Sequence, residues 1–136
     1  MSKLEQTLSI IKPDAVERNL IEEIKSIFKK NNLKITNSKK IHISKDEAAE
    51  FYKVHQSKPF YNDLCAYLSS GPIIVMAIEK VNAVLDNRQL MGATNPKEAE
   101  EGTLRKKYGI SIDKNSVHGS DSVENAKIEI DFFFKD

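Results

Sequence analysis

One histidine lies in a short segment whose side chains could support acid–base or nucleophilic chemistry. Residues 115–122 supply His118, an amide, a carboxylate, serine hydroxyls and a glycine. The apolar residues that follow at helical spacing indicate a helix directly after this segment. His118 would then precede a helix N-terminus, where unpaired backbone N–H groups attract an anion. An imidazole beside a bound anion can act as a nucleophile or as an acid–base group.

A second group of side chains, in or near predicted loops, has the chemistry that a polyphosphate requires. These side chains are Lys12, Arg88, Thr94, Arg105 and Asn115. Guanidinium groups bind phosphate through paired N–H donors, and an ammonium group adds a point charge. Each residue alone has a plainer interpretation. Arg88 could pair with Asp86 or with another helix carboxylate, and Arg105 could be one of the many solvated charges in the run 105–107. Their combination with a histidine favours a phosphate site.

Several standard motifs are absent from the sequence. It has no G-x-x-x-x-G-K-[ST] loop, no G-x-G-x-x-G loop and no G-x-S-x-G elbow. His42, His55 and His118 lack the spacing of zinc ligands. A nucleotide would therefore be bound without a glycine-rich cradle, and the pair Gly119-Ser120 does not indicate a serine hydrolase.

The composition predicts one domain over residues 1–136, of ordinary soluble character. Lys and Arg number 21 against 20 Asp and Glu, so the net charge is only +1, which argues against a dedicated nucleic-acid module. The single cysteine, Cys65, excludes an internal disulfide and favours a reducing compartment. Because we find no signal peptide and no apolar run of membrane length, we expect a cytoplasmic protein.

Hydrophobic periodicity predicts strands over residues 4–11, 33–43 and 73–78, the last of them central. The first predicted helix runs from residue 20 to a stop at 31–32, the second from a capping box at Ser44 to His55, and the third over 60–68. The fourth runs from an N-cap at Asn82 to a stop at Gly92. The last begins at Ser122, within a capping box of Asp121 and Glu124, and ends at about 134. Breaker residues predict a long, functional insertion between Gly92 and Asn115, with short helical pieces near 97–101 and 103–108. A short strand before the last helix completes the order.

This order is α+β and is compatible with a ferredoxin-like βαββαβ core. We expect an antiparallel sheet with helices packed on one face, plus the long inserted loop before His118.

Segment 115–122 resembles the active-site signature of the nucleoside diphosphate kinases. It reads Asn-Ser-Val-His-Gly-Ser-Asp-Ser. Residues 9–16 are similar to that family's opening strand, and the segments 58–60, 70–72, 88–96 and 102–105 are similar to family segments in the same order. The resemblance is collinear over nearly the whole chain.

The resemblance implies a ping-pong phosphoryl transfer. His118 would attack the γ-phosphate of a nucleoside triphosphate, mainly ATP, through ring Nδ1, and the phosphohistidine would then phosphorylate a nucleoside diphosphate. Glu129 would orient His118 directly or through Ser120, and Lys12 would take part in catalysis. Mg²⁺ would bridge the nucleotide phosphates with little direct protein ligation.

The resemblance also implies the nucleotide contacts. Lys12, Tyr52, Arg88, Thr94 and Arg105 would hold the phosphates, with His55 nearby; Lys12 and Asn115 would bind the sugar, and Phe60 and Ile112 would sandwich the base. Stacking on a phenyl ring and an aliphatic side chain tolerates any base, so broad base specificity is expected. Plain core packing is the alternative for this pair, and it suits Ile112 better than Phe60.

Two departures from the family pattern are Glu22 and Lys80, which stand where members usually carry glycine. A homo-oligomer, either a hexamer or a tetramer, is the expected assembly. The alternative to an enzyme is a nucleotide- or nucleic-acid-binding regulatory module on the same fold. For the enzyme, nucleic acid would be at most a secondary partner, and no membrane partner is expected.

Overall fold

The computed structural model describes residues 4–53, 56–111 and 114–134. Its elements, in chain order, are β1 (Leu4–Ile11), α1 (Pro13–Glu17), α2 (Ile21–Lys30), β2 (Lys34–Ile41), α3 (Lys45–Phe51), α4 (Tyr61–Leu68), β3 (Ile73–Val81), α5 (Ala83–Met91), a 3₁₀ helix (Pro96–Glu98), α6 (Leu104–Tyr108), β4 (Val117–Gly119) and α7 (Val123–Phe134).

The sheet has four strands in the order β2-β3-β1-β4, and every neighbouring pair is antiparallel. This is the predicted ferredoxin-like arrangement, and the prediction of β3 as an inner strand is confirmed. Strand β4 pairs with β1 so that His118 lies opposite Ile10. The histidine therefore lies on an edge strand and is held by the pairing of that strand with the inner strand β1.

Helices cover both faces of this sheet, so the expectation of helices on one face was wrong. Along β3, Ile74, Met76 and Ile78 pack into one cluster with residues of α1, α2, α5 and α6. The intervening residues, Ile73 and Val75, pack into a second cluster with residues of α3, α4 and α7. Each large apolar side chain that is fully buried contributes about 1.5–3 kcal/mol. The two layers thus hold the sheet from both sides.

The helix starts follow the predictions only in part. Ser44 forms the predicted capping box with Glu47 at the start of α3. Asn82 precedes α5 as predicted, but its φ of 59° is left-handed and its side chain does not cap; the Glu5 carboxylate accepts from Val84 N at 3.3 Å instead. In front of α7, Ser122 Oγ accepts from Asn125 N at 3.1 Å. The predicted capping box of Asp121 and Glu124 was therefore wrong, and α7 begins one residue later.

Two further boundaries differ from the predictions. Helix α3 ends at Phe51, with Tyr52 as its C-cap, rather than continuing to His55. Helix α1 was not predicted, because five residues are too few to show a helical period. The predicted stop of α5 at Gly92 is confirmed, since its φ of 84° suits a residue without a side chain. No helix within the described residues is both long and apolar enough to cross a membrane.

Candidate active site

The His118 ring is held by a carboxylate on the last helix. Its Nε2 atom lies 2.9 Å from Glu129 Oε1, and both side chains are about one-fifth exposed, at 20% and 19%. Ser120 Oγ donates to the same Oε1 at 2.9 Å and accepts from Leu8 N at 3.2 Å. Because a carboxylate only accepts, Nε2 carries the proton and the lone pair lies on Nδ1.

The backbone around His118 allows an unusually close approach by helix α5. A Cβ at Gly119 would lie 2.4 Å from Asn87 Nδ2 and 2.7 Å from Met91 Cε. Asn87 is fully buried. A side chain at position 119 would therefore have to displace the ends of Asn87 and Met91, and this close approach sets α5, which carries Arg88, directly against the strand that carries His118.

A buried lysine lies at the carboxyl end of β1. Lys12 is 6% exposed, and its Nζ donates to Asn115 Oδ1 at 2.9 Å. The Asn115 amide in turn donates from Nδ2 to Thr94 O at 3.2 Å. This path of hydrogen bonds joins the end of β1, the insertion after α5 and the residue that begins the histidine segment.

Two arginines and a threonine line one cleft of about 260 Å³, together with Gly92 and neighbouring residues of α5. Arg105 is partly buried, and its Nη1 and Nη2 donate to Gly92 O and Val117 O, each at 3.0 Å. Burial, and then the nearby charge of Arg88, lower the pKa of Arg105 to about 10. The guanidinium therefore stays charged at neutral pH, next to a second cation.

Tyr52 is a buried residue within electrostatic range of charges on both sides of the site. It is 6% exposed. Burial raises its pKa strongly, the Glu129 carboxylate adds to that rise, and Arg105 opposes it. The Tyr52 hydroxyl is therefore influenced both by the carboxylate that contacts His118 and by an arginine of the cleft.

The arrangement combines a nucleophilic nitrogen with fixed positive charge. The Val117 carbonyl, one residue before His118, is bonded to Arg105, and Asn115, three residues before His118, is bonded to Lys12. Such a site can attract a polyphosphate and present it with Nδ1 of the imidazole. These two functions suit the transfer of a phosphoryl group through the histidine.

Comparison with known proteins agrees with this chemistry. The family model described as "Nucleoside diphosphate kinase" matches residues 5–136. The chain belongs to the nucleoside diphosphate kinase family. A nucleoside diphosphate kinase of Campylobacter lari is 58% identical over 131 residues, and one of Nitratiruptor sp. is 57% identical over 131 residues; each match covers 96% of both chains. Family membership makes the chain a phosphotransferase.

Solved structures of nucleoside diphosphate kinases share the fold. The Aquifex aeolicus enzyme superposes with a TM-score of 0.96 at 34% identity, covering 98% of this chain and 96% of that one. The enzyme of Encephalitozoon cuniculi gives 0.93 at 38% identity, covering 97% and 90%.

Most of the residues singled out in the sequence fall into three groups in this nucleoside diphosphate kinase fold. His118 and Ser120 both contact Glu129, Lys12 contacts Asn115, and Arg88, Thr94 and Arg105 share a cleft. His118 and Glu129 line a neighbouring hollow rather than the cleft of the arginines. Phe60 is 44% exposed at the N-cap of α4, with Lys58 Nζ 5.7 Å from its ring centroid. His55 and Ile112 lie outside the described residues.

The plainer interpretation of Arg105 was wrong, and so was the pairing of Arg88 with Asp86. Asp86 is bonded to Lys80 at 2.7 Å instead. Arg105 is anchored to two backbone carbonyls and is not one of several solvated charges. Lys80 is one of the departures from the family pattern. Its ion pair with Asp86 connects the end of β3 to the first turn of α5.

Two residues next to the site were not predicted from the sequence. Asn87 contacts Gly119, and Asp14 contacts Ser116. Nothing in the spacing of Asn87 indicates its burial. The available signal for Asp14 was its position within residues 9–16, the segment similar to the family's opening strand.

Proposed function

We propose that this nucleoside diphosphate kinase transfers phosphate by a ping-pong route through a phosphohistidine on Nδ1 of His118. The 2.9 Å contact between His118 Nε2 and Glu129 Oε1 carries this proposal. It directs the lone pair of the ring to Nδ1 and places an anion where positive charge develops when the ring is phosphorylated.

The reaction balances in two in-line steps. The lone pair on Nδ1 forms a bond to the γ-phosphorus of a nucleoside triphosphate, mainly ATP, and the bond from that phosphorus to the bridging oxygen breaks. The electron pair leaves with the nucleoside diphosphate. Nε2 keeps its proton, shared with Glu129, throughout. A β-phosphate oxygen of a second nucleoside diphosphate then attacks the phosphorus, and Nδ1 recovers its lone pair.

The proposed nucleotide contacts follow the placement of the cations. Arg88, Thr94 and Arg105, which line the cleft, would hold the phosphates, and Tyr52, kept protonated by its raised pKa, would donate from its hydroxyl. Lys12 would serve both the phosphates and, with Asn115, the sugar. The exposed ring of Phe60 would stack on the base, opposite Ile112, with His55 near the phosphates. A stacking site without polar base contacts supports broad base specificity.

We propose that Mg²⁺ would enter the site with the nucleotide, whose phosphates would hold it. The donor set in the cleft is cationic, and within residues 4–53, 56–111 and 114–134 no group of three or more His, Cys, Asp or Glu side chains could hold a metal. Such a site fits a metal that arrives bound to its nucleotide. The ion would neutralise phosphate charge, and the arginines would stabilise what remains.

The proposal also includes the domain organisation, the cellular location and the oligomeric state of the enzyme. A single domain over residues 1–136 is supported by the extent of the family match. The presence of a single cysteine, the buried Cys65, supports a cytoplasmic location. A hexamer or tetramer is supported only by the general preference for closed symmetry.

Labelling with γ-³²P-ATP tests the function. The protein should acquire acid-labile label, and any nucleoside diphosphate should remove it as the matching triphosphate. His118→Gln should take up no label while still binding ADP, whereas His42→Gln, an exposed histidine on the loop after β2, should label normally. Label that persists in His118→Gln would refute the nucleophile.

A further inference from the structure

A strained turn stands immediately before the histidine strand. Ser116 has a φ of 74°, and Val117 N donates to Asn115 O at 2.9 Å across it. These are the features of a γ-turn with positive φ, which is rare and strained for residues other than glycine. Ser116 is fully buried, so solvent does not hold this conformation.

A buried carboxylate contacts the residue at the centre of this turn. Asp14 is 6% exposed, and its Oδ2 accepts from Ser116 Oγ at 2.7 Å and from Arg18 Nη2 at 3.0 Å. Tyr67 donates its hydroxyl to the other oxygen, Oδ1. Arg18 Nη2 also donates to Tyr108 O at 2.6 Å, which ties the carboxylate to α6.

The residues on both sides of the turn contact or precede residues of the candidate active site. On one side, Asn115 accepts from Lys12 Nζ, and Lys12 N donates to Ser116 O at 2.8 Å. On the other side, Val117 begins β4, accepts from Arg105 at 3.0 Å and is followed by His118. A change of φ at Ser116 would therefore move the amide that contacts Lys12 relative to the strand that carries His118.

We propose that Asp14 is a positioning residue for the phosphoryl transfer, holding Ser116 in its left-handed conformation so that Lys12 and His118 keep their relative placement. This inference rests on the proposed role of His118. Asp14 does not touch the nucleotide in this account; it acts through the hydroxyl and backbone of Ser116.

Two substitutions at Ser116 separate positioning from simple hydrogen bonding. Ser116→Ala and Ser116→Gly both remove the hydroxyl that contacts Asp14, but only glycine adopts a positive φ without strain. The rate of phosphohistidine formation in a single turnover should fall about tenfold in Ser116→Ala and stay within about threefold of the parent in Ser116→Gly. The affinity for ADP should change little in either.

Removal of Asp14 completes the test. Asp14→Ala should slow phosphohistidine formation about tenfold in the parent chain and less than about threefold in the Ser116→Gly background, where the turn no longer needs to be held. Thermal stability should fall by a similar amount in both backgrounds, because the bonds from Tyr67 and Arg18 are lost in each. A purely structural role would give no kinetic rescue by glycine.

Ser26, exposed on α2, provides the matched control. Ser26→Ala and Ser26→Gly should leave the transfer rate unchanged, and glycine should be the less stable of the two at this helical position. A Ser116→Gly variant as slow as Ser116→Ala, or equal kinetic losses for Asp14→Ala in both backgrounds, would overturn the proposal. Because all these variants should still take up label at His118, failure here is distinct from the failure of the nucleophile.

Discussion

Glu129 Oε1 lies 2.9 Å from His118 Nε2, which fixes the tautomer of the ring as well as its orientation. The carboxylate stands on α7 and the imidazole on β4, so the contact also couples the last helix to an edge strand. Ser120 donates to the same oxygen, and this leaves the carboxylate little freedom to rotate away. In the proposed reaction the ring would therefore meet its substrate with the proton already on the nitrogen that does not react.

Glu129→Gln should slow phosphohistidine formation by about 10- to 100-fold, because the amide keeps an acceptor for Nε2–H but loses the negative charge that stabilises the phosphorylated ring. Quenched-flow measurement of label uptake from γ-³²P-ATP gives this rate directly. Glu124→Gln, at an exposed position on the same helix, is the control and should match the parent. Equal rates for Glu129→Gln and the parent would show that the contact has no catalytic role.

Replacement of Arg88 and of Arg105 should lower activity in both cases but should affect stability differently. Arg88 is exposed, so Arg88→Ala should lower kcat/KM by about 100-fold or more with little change in stability. Arg105 also donates to Gly92 O and Val117 O, so Arg105→Ala should lower kcat/KM and destabilise the fold by about 1–3 kcal/mol.

Steady-state kinetics and urea unfolding separate these two effects. Lys97→Ala, which removes an exposed cation outside the cleft, should change neither quantity. Full kcat/KM in both arginine variants would contradict the electrostatic part of the account.

Gly119→Ala should cost about 1–3 kcal/mol of stability and lower kcat, because the new methyl group would overlap Asn87 and Met91 and push α5 away from β4. Differential scanning calorimetry and kcat measure the two consequences. Gly71→Ala is the matched control, since its Cβ would meet Pro13 Cβ at an ordinary 3.6 Å. Asn87→Ala in the Gly119→Ala background should restore part of the loss, and its failure to do so would show that this contact is not the cause.

Tyrosine burial predicts an alkaline loss of stability. Burial raises the pKa of Tyr52 above its ordinary value near 10, so the native phenol keeps its proton while the unfolded one loses it. Tyr52 therefore contributes stability that is fully present below pH 10 and declines at higher pH, by on the order of 1 kcal/mol per pH unit. Urea unfolding between pH 8 and pH 11 should show a shallower decline for Tyr52→Phe than for the parent. Identical slopes would contradict the raised pKa.

The strands and several helix ends could be predicted because their causes are local. The bounds of β1 and the capping box at Ser44 follow from neighbouring residues and agree with the structure. The packing of helices on both faces was also signalled, since the unbroken apolar run in β3 leaves no polar face for solvent. The apolar run in β3 predicted a central strand, but the prediction of helices on one face of the sheet did not take it into account.

The parts that could not be predicted depend on contacts between distant residues. Asp14 and Ser116 are 102 positions apart, and the burial of Asn87 depends on the absence of a side chain at Gly119. Left-handed φ at Asn82 and Ser116 likewise depends on the surrounding fold rather than on local propensity. The proposed catalytic cluster is indicated by the resemblance to a family, because spacing alone does not place Glu129 beside His118.

The most direct test of the proposed mechanism is the identity of the ring nitrogen that becomes phosphorylated. The enzyme would be labelled with γ-³²P-ATP and hydrolysed in alkali, and its phosphohistidine isomers would be separated against standards. We expect phosphate on Nδ1 of His118, because Nε2 is held by Glu129. Phosphate on Nε2, or on a residue other than His118, would contradict it.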